Sequence, residues 1–347
     1  MTAISQGTSH RFEALDALRG FAALGVALFH YHGSWAGYLA VDFFLVLSGF
    51  VLSYAYSSKN NLNLGDFAVQ RLARLYPLHL YTLMAYLLVY LICNQEIPDY
   101  PDGSLNTFIQ NLFLLQNVGL NPHGLTWNYP SWSISVEFWI NMFFFFFVLK
   151  SKKPYAWLLI SLACFVLMFY RTANLNLHYQ NYFTFLNAGL IRGLASFLLG
   201  VIAYRLFSRI SNHEITRASA LEMGILIVMS AAIFLSSVID ARWDFLAAAT
   251  FSLCVFLFAF QAGAVSKFLG RFQYLGTISY SVYLNQIAVL LLVRAVEGAW
   301  GGNGLVSVSL YFTLLIFYSL ITYTYIEIPW KSRINFMWKS KSFSSDK

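Results

Sequence analysis

The chain has 347 residues, of which 59% are apolar and 18% aromatic, while only 11% are charged. A soluble globular domain carries about 25% charged residues, so this composition excludes one. Apolar windows of about 17–25 residues recur from end to end, which predicts an all-α polytopic membrane bundle with about ten transmembrane helices.

The predicted spans form one transmembrane domain at residues 12–330, between a short tail at 1–11 and a basic tail at 331–347. The first span is too long and too polar at its centre for a signal peptide, so we expect it to be retained. In chain order the spans are 12–32, 38–57, 75–94, 132–149, 155–170, 188–208, 220–238, 243–261, 277–297 and 304–328.

The basic residues divide unevenly between the two sides of this predicted bundle. Of the 22 Lys and Arg residues, 17 fall on the side of the two tails. Three fall on the other side (Arg171, Arg242 and Arg294) and two inside spans (Arg19 and Arg192). The split predicts cytoplasmic termini, and it explains the net charge of +7 without a nucleic-acid partner.

The first span carries Arg19 and His30 on an otherwise apolar helix. Eleven residues place both side chains within about 20° of one helix face and about 16 Å apart along the axis. Inserting an arginine into a membrane span costs at least about 2.5–3.5 kcal/mol of free energy. Such a residue is therefore favoured to line a pore or cavity or to bind a ligand. Asp16, one turn earlier, could pair with Arg19. The alternative is that Arg19 snorkels to the interface and His30 lies at the outer edge.

The second span, VDFFLVLSGFVLSYAY, contains Asp42, Ser48 and Gly49. We expect Asp42 to lie beside His30 near the outer end, where a carboxylate would raise the basicity of the imidazole and orient its ring. For Ser48 and Gly49 the simpler interpretation is close helix packing.

The cytoplasmic loop segment FAVQRLARLYPLHL places Arg71 and Arg74 three residues apart on one face, just ahead of the third span. They could anchor the loop on the cytoplasmic side. They could equally capture phosphate, because a guanidinium grips phosphate oxygens with two hydrogen bonds. His79, inside the span, is interpreted as a satisfied interior histidine.

The longest loop, 95–131, contains an amphipathic segment, LNTFIQNLFLLQNV, expected on the outer membrane face. The next helix carries Ser133 and Glu137 one turn apart, and an intramembrane glutamate is a functional candidate by default. Trp127, Trp132 and Trp139 are expected in the interfacial aromatic belt.

Two polar patterns lie near the C-terminus. GTISYSVYLNQ places Gly276, Ser279 and Tyr283 near the start of the ninth span, and YTYIEIPW places Tyr323 and Glu327 one turn apart. Glu327 precedes a proline, so it has either a site role or a structural role in ending the helix. The three cysteines lack ligand spacing, and no metal site is predicted.

Together these motifs resemble the acyltransferase 3 family of integral membrane O-acyltransferases, over residues 11–333. The matching patterns are RX10H (Arg19, His30), RXXR (Arg71, Arg74), SXXXE (Ser133, Glu137), GXXSXXXY (Gly276, Ser279, Tyr283) and YXXXE (Tyr323, Glu327). Many relatives have a Trp-His pair where this chain has Asn285 and Gln286, so a second histidine role is not expected here.

The resemblance implies transfer of an acyl group, usually acetyl, from cytoplasmic acyl-CoA to a carbohydrate hydroxyl across a bacterial inner membrane. It makes His30 the catalytic group, with Arg19 in a pore and the RXXR arginines near the acyl-CoA. We accordingly predict catalytic roles for His30, Arg19, Asp42 and Glu137. Donor-binding roles are predicted for Arg71, Arg74, Ser133, Ser279, Tyr283, Tyr323 and Glu327.

The chemistry fits a histidine, which titrates near neutrality and can take a proton from a sugar hydroxyl as it attacks a thioester. Histidine could instead accept the acyl group first, as an acyl-imidazole.

Two alternative functions stay open at this point. One is acylation of a small glycoside or antibiotic, and the other is a transporter that uses the buried charges as a pathway.

Overall fold

We describe the chain from a computed structural model. The described residues are 11–59, 62–121, 123–176, 180–182, 186–210, 217–300 and 304–345. Most of the predicted N-terminal tail, 1–11, and the last two residues of the predicted C-terminal tail therefore lie outside them.

The described residues are almost entirely helical. The α-helices are α1 Glu13–His32, α2 Ala40–Tyr56, α3 Leu64–Asn94, α4 Ser104–Leu112, α5 Trp132–Phe143, α6 Pro154–Thr172, α7 Ala188–Phe207, α8 Ala218–Val238, α9 Asp244–Ala259, α10 Ala264–Gly270, α11 Gln273–Trp300, α12 Gly304–Thr322 and α13 Ile328–Ser345. A π-helical turn continues α5 over Phe144–Val148, and another joins α12 to α13 over Tyr323–Glu327. Strands β1 Asn181–Tyr182 and β2 Leu186–Asn187 form a short antiparallel pair, with Asn181 opposite Asn187.

Nine helical segments among the described residues are long and apolar enough to cross a membrane, which confirms the predicted helical membrane bundle. The first predicted span, now α1, is not one of the nine, because Asp16, Arg19 and two histidines lower its hydropathy. It is nevertheless an interior helix, since it packs along α11 and fully buries Ala17, Ala23 and other small residues.

Glycines set the closest helix contacts in this bundle. A Cβ atom on Gly49 would lie 2.1 Å from the carbonyl oxygen of Phe197, so α2 and α7 approach backbone to backbone. This confirms the packing interpretation of Gly49. A Cβ atom on Gly276 would lie 2.2 Å from the carbonyl oxygen of Asp16, which brings α11 equally close to α1 beside Arg19.

Helix α3 begins at Leu64, eleven residues before the predicted start of the third span. The side chain of Asn63 caps it by accepting a hydrogen bond from the Asp66 amide at 2.7 Å. Arg71 and Arg74 therefore lie on a helix, so their three-residue spacing does put them on one face, but this helix begins before the predicted span. Hydropathy did not reveal the extra turns because Asp66 and the two arginines interrupt the apolar residues there.

Helix α4 has an inverted amphipathic pattern. It buries Thr107, Gln110 and Asn111 against the bundle and exposes Leu105 and Ile109. An apolar outward face is the arrangement that a lipid surface would stabilise. The location on the outer membrane face stays a prediction.

Two of the three tryptophans assigned to an interfacial belt are buried instead. Trp127 is 3% exposed and donates from Nε1 to Thr107 Oγ1 at 3.0 Å, and Trp132 is 5% exposed. Only Trp139, at 38% exposure, has the surface position that an interfacial belt requires.

The predicted C-terminal tail is helical for most of its length, since α13 continues to Ser345. It packs against α3, where Trp338 Nε1 donates to Asp66 Oδ1 at 2.7 Å. This hydrogen bond joins α13 to the first turn of α3, the helix that carries Arg71 and Arg74.

Candidate active site

A cavity of about 160 Å³ collects most of the predicted site residues; we call it the arginine cavity. Its walls come from α1, α2, α3, α5 and α11, and much of its surface is leucine, valine and phenylalanine. Seven predicted site residues line it: Arg19, Arg71, Arg74, Ser133, Glu137, Ser279 and Tyr283.

Arg19 is held by α11 and by its own helix. Its Nη2 donates to the Gly276 carbonyl at 2.6 Å and lies 3.2 Å from the carboxylate of Asp16, which confirms the expected pair. Its Nε is buried without a partner among the described residues. The Nε–H of Arg19 is therefore a buried donor that no described residue uses.

Arg74 forms an ion pair with Glu327, which is only 4% exposed. The other carboxylate oxygen of Glu327 accepts a hydrogen bond from Ser281 Oγ at 3.0 Å. Glu327 does not end a helix, because the π-helical turn runs directly into α13. It instead pairs with Arg74 from the turn that joins α12 to α13, while Tyr323 packs against an apolar cluster and does not line the arginine cavity.

Glu137 and Ser48 meet across the arginine cavity. Glu137 Oε1 accepts a hydrogen bond from Ser48 Oγ at 3.1 Å, so Ser48 serves the site as well as helix packing. Arg19, Arg71 and Arg74 all act electrostatically on the Glu137 carboxylate. A cluster of three arginines and a glutamate with apolar walls can hold a polar ligand in an otherwise apolar bundle.

The SXXXE and GXXSXXXY motifs also meet. The hydroxyl groups of Ser133 and Tyr283 lie 2.8 Å apart, and Tyr283 OH donates to the Pro130 carbonyl at 3.0 Å. Ser279 Oγ donates to the carbonyl of Gly276, the same oxygen that Arg19 binds. Residues 150 positions apart in the chain are thereby locked into one wall.

His30 lines a separate cavity of about 280 Å³, which we call the histidine cavity. No Lys, Arg, Asp or Glu is among its lining residues: Val26, Phe29, His30, Tyr38, Val41, Leu125, Tyr129, Trp132, Asn176 and Tyr283. Val41 and Tyr283 line the arginine cavity as well, so the two cavities share this wall.

Gln286 determines which nitrogen of His30 carries the proton. The Gln286 amide nitrogen donates to the Tyr283 carbonyl at 2.7 Å, and its Oε1 lies 2.9 Å from His30 Nδ1. Since a carbonyl can only accept, the amide oxygen must face His30, and Nδ1 must be the donor. In the neutral imidazole Nε2 then holds the free electron pair. It makes no hydrogen bond within the described part of the chain.

Arg19 and His30 thus both bond to α11, one at Gly276 and the other at Gln286. This confirms that they share one helix face. Sequence reasoning missed the role of Gln286, although the departure from the Trp-His pair marked its position.

Asp42 does not serve His30. Its carboxylate binds Arg192, with Nη2 to Oδ2 at 2.6 Å and Nε to Oδ1 at 3.1 Å, and it accepts from Ser196 Oγ at 2.7 Å. Asp42 and Arg192 are both 0% exposed. The expected pairing of Asp42 with His30 is wrong, because Arg192 and Ser196 occupy both carboxylate oxygens.

His79, the other histidine inside a span, lines neither cavity. It is fully buried, and its Nε2 lies 2.8 Å from the Asn111 carbonyl. This confirms its interpretation as an interior histidine. His123, in the loop after α4, pairs with Asp102 at 2.5 Å.

Comparison with known proteins decides the family. A family model described as an acyltransferase domain matches residues 12–327. The chain belongs to the acyltransferase 3 family. This membership confirms the resemblance found in the motifs and favours enzymatic acyl transfer over the transporter alternative.

Relatives of this acyltransferase match it over parts of their length. Protein 2 in the picA locus of Rhizobium radiobacter is 42% identical over 100 residues, 26% of this chain and 51% of that protein. Acyltransferase MdmB of Streptomyces mycarofaciens is 33% identical over 147 residues, 37% of each chain. O-acetyltransferase OatA of Staphylococcus aureus is 34% identical over 89 residues, 24% of this chain and 15% of that protein.

The chain thus spans about half or less of the length of these relatives. No solved structure gives a significant match to it. This acyltransferase 3 domain has two adjoining cavities. One is lined by arginines, and the other is lined by His30, whose Nε2 makes no hydrogen bond to any described residue.

Proposed function

We propose that this protein transfers an acyl group, most readily acetyl, from acyl-CoA on the cytoplasmic side to a hydroxyl of a carbohydrate on the other side of the membrane. The observation that carries the proposal is the His30 tautomer. Nε2 is the unprotonated nitrogen, and His30 lines a cavity that shares its Val41 and Tyr283 wall with the arginine cavity.

In this proposal the thioester end of the donor enters from the arginine cavity and the acceptor occupies the histidine cavity. His30 Nε2 takes the proton of the sugar hydroxyl as the oxygen attacks the thioester carbonyl. A C–O bond forms, the C–S bond breaks, and the proton passes from His30 to the CoA sulfur. A two-step route through acyl-His30 uses the same nitrogen.

The lining of the histidine cavity suits a neutral, polar and partly flat acceptor. Tyr38, Tyr129 and Trp132 supply aromatic surface, and Asn176 supplies hydrogen bonds. A sugar has both kinds of surface. The relative named O-acetyltransferase supports transfer to oxygen. A small glycoside has the same kinds of surface and is the second candidate acceptor.

His30→Ala tests the proposal, with His79→Ala as the matched control. Loss of a general base costs about 10²–10⁴-fold in rate. We expect that loss for His30→Ala at equal membrane abundance, measured as transfer of labelled acetyl from acetyl-CoA to glycan. His79→Ala should lower protein yield and leave the rate per molecule intact, since His79 contacts neither cavity.

Wild-type transfer by His30→Ala would overturn the assignment. If transfer is lost while CoA binding is kept, rapid denaturation of the wild-type enzyme at neutral pH, with labelled donor and no acceptor, separates the two routes, because an acyl-imidazole hydrolyses quickly in acid. A labelled protein band indicates acyl-His30, and its absence indicates direct base catalysis. His10, His178 and His213, assigned by sequence outside the spans, lie outside the described residues.

We also propose a bacterial inner-membrane location with both termini in the cytoplasm, supported by the 17 to 3 division of basic residues. Single cysteines at Glu96 and Lys153, in a chain freed of its own cysteines, test it. An impermeant thiol reagent added outside should label Glu96→Cys and spare Lys153→Cys. The reverse pattern would overturn the orientation.

A further inference from the structure

A third cavity, about 510 Å³ in volume, lies where the end of α2, the α5–α6 linker and the end of α7 meet; we call it the basic cavity. No Asp or Glu is among its lining residues. Its five cationic residues are Lys59, Lys150, Lys152, Arg205 and Arg209, and its hydroxyl groups belong to Ser53, Tyr56, Ser57, Ser151, Tyr204 and Ser208.

The five cations have no carboxylate partner within the described residues. None of them takes part in a salt bridge there. Arg205 donates to a neutral group, the Ser151 carbonyl, at 2.5 Å. The orientation rule explains how many basic residues lie on this side, but not why three separate segments direct five of them into one concavity. Such a concentration of like charge favours a bound polyanion.

The arginine cavity offers much less net positive charge. Arg74 is paired with Glu327, Arg19 with Asp16, and Glu137 lies among the arginines. Three cations therefore face three carboxylates. The arginine cavity can orient the polar part of a ligand, but it does not balance several phosphate charges.

Tyr56 connects the two cavities. It lines the basic cavity, and its hydroxyl accepts a hydrogen bond from Arg71 Nη2 at 3.4 Å. Arg71 in turn lines the arginine cavity and has a buried Nε without a partner in the described residues. A long ligand could therefore place one end in each cavity.

We propose that the basic cavity is a binding site for phosphate groups. Resting on the proposed function, we assign those phosphates to the nucleotide end of acyl-CoA, whose thioester end occupies the arginine cavity. A volume of about 510 Å³ suits a nucleotide, and lysines and arginines are the side chains that bind phosphate. The headgroup of an anionic phospholipid offers the same phosphate chemistry, so the test separates the two sources.

The test compares two triple variants of the full chain with the same change in charge. The site variant is Lys150→Gln, Lys152→Gln and Arg209→Gln. The control is Arg217→Gln, Lys267→Gln and Arg271→Gln, three basic residues that do not line the basic cavity. Calorimetric titration in detergent measures the binding of CoA and of pantetheine, which lacks every phosphate.

We expect the site variant to bind CoA at least tenfold more weakly and pantetheine unchanged, while the control matches the wild type for both. Added salt should weaken CoA binding more in the wild type than in the site variant. Equal CoA affinity in all three proteins would overturn the assignment to the nucleotide.

The lipid source is tested with the same proteins in nanodiscs of phosphatidylglycerol or phosphatidylcholine. If phosphatidylglycerol raises the melting temperature of the wild type and the control but not of the site variant, the basic cavity does bind phosphate, and the phosphate belongs to a lipid headgroup. If the site variant and the control do not differ in CoA affinity or in stabilisation by phosphatidylglycerol, the basic cavity is not a phosphate site. A wild-type chain that binds no CoA would count against the proposed function and leave the lipid measurement decisive for the cavity.

Discussion

Two arginine centres in this bundle differ in how completely their hydrogen bonds are used. Arg192 is 0% exposed, and its three nitrogen atoms donate to Asp42 and to the carbonyl groups of Tyr38 and Leu175. In the arginine cavity, by contrast, Arg19 Nε and Arg71 Nε have no partner among the described residues. A saturated buried charge has nothing left for a ligand, whereas an unsaturated one in a cavity does.

This difference separates a structural ion pair from a binding group. Asp42 and Arg192 join α2 to α7 through a fully buried ion pair. None of the five matched family patterns contains Asp42 or Arg192, and burying a charge within a span is costly in both centres. Only the partners of each charge tell the two roles apart.

The largest effect should come from breaking the saturated pair. Arg192→Met leaves Asp42 buried without its counter-charge, which costs about 3–5 kcal/mol of folding free energy. We expect a sharp fall in thermal stability in detergent and little folded protein. The double variant Asp42→Leu with Arg192→Met removes both charges and should recover much of the stability. Normal stability of Arg192→Met with lost transfer would instead place Arg192 in the site.

A smaller effect should follow from changing Gln286. Gln286→Leu removes the acceptor for His30 Nδ1–H, so we expect transfer to slow about 10–100-fold, as for the loss of an orienting partner, with the fold kept. Asn285→Ala is the control on the same helix, since Asn285 bonds to Thr322.

Gln286→Glu sharpens the same prediction. A carboxylate still accepts from His30 Nδ1–H, but it cannot donate to the Tyr283 carbonyl as the Gln286 amide does. We therefore expect Gln286→Glu to transfer acyl groups faster than Gln286→Leu and more slowly than the wild type, measured at equal membrane abundance. Unchanged rates in both variants would show that Gln286 only fills space.

The smallest effect should come from Arg71→Lys and Arg74→Lys. Lysine keeps the charge and loses the two-pronged geometry, so the KM for acyl-CoA should rise a few-fold with kcat little changed. Arg71 should be the more sensitive, because Glu327 already occupies Arg74. Arg242→Lys, at an exposed site, is the control. A larger rise in the KM for acyl-CoA in Arg74→Lys than in Arg71→Lys would contradict the expectation that the arginine with more unused hydrogen-bond donors contributes more to donor binding.

Hydropathy and spacing were sufficient for the local features of this protein. They predicted the helical membrane bundle, the pairing of Arg19 with Asp16 and the common face of Arg19 and His30. Each of these depends on residues within one helix, where periodicity fixes position. The start of α3 was missed because Asp66, Arg71 and Arg74 interrupt the apolar residues of its first turns, and the Asn63 cap that marks its beginning is not an apolar signal.

Only the tertiary structure decided which buried polar groups pair. Asp42 lies 150 residues from Arg192, and His30 lies 256 residues from Gln286. The sequence alone determines that such groups are in the membrane and must find partners, since an unpaired polar group there is costly. It does not determine which partner each one meets, because helix neighbours are set by packing, as where Gly49 and Gly276 let backbones touch.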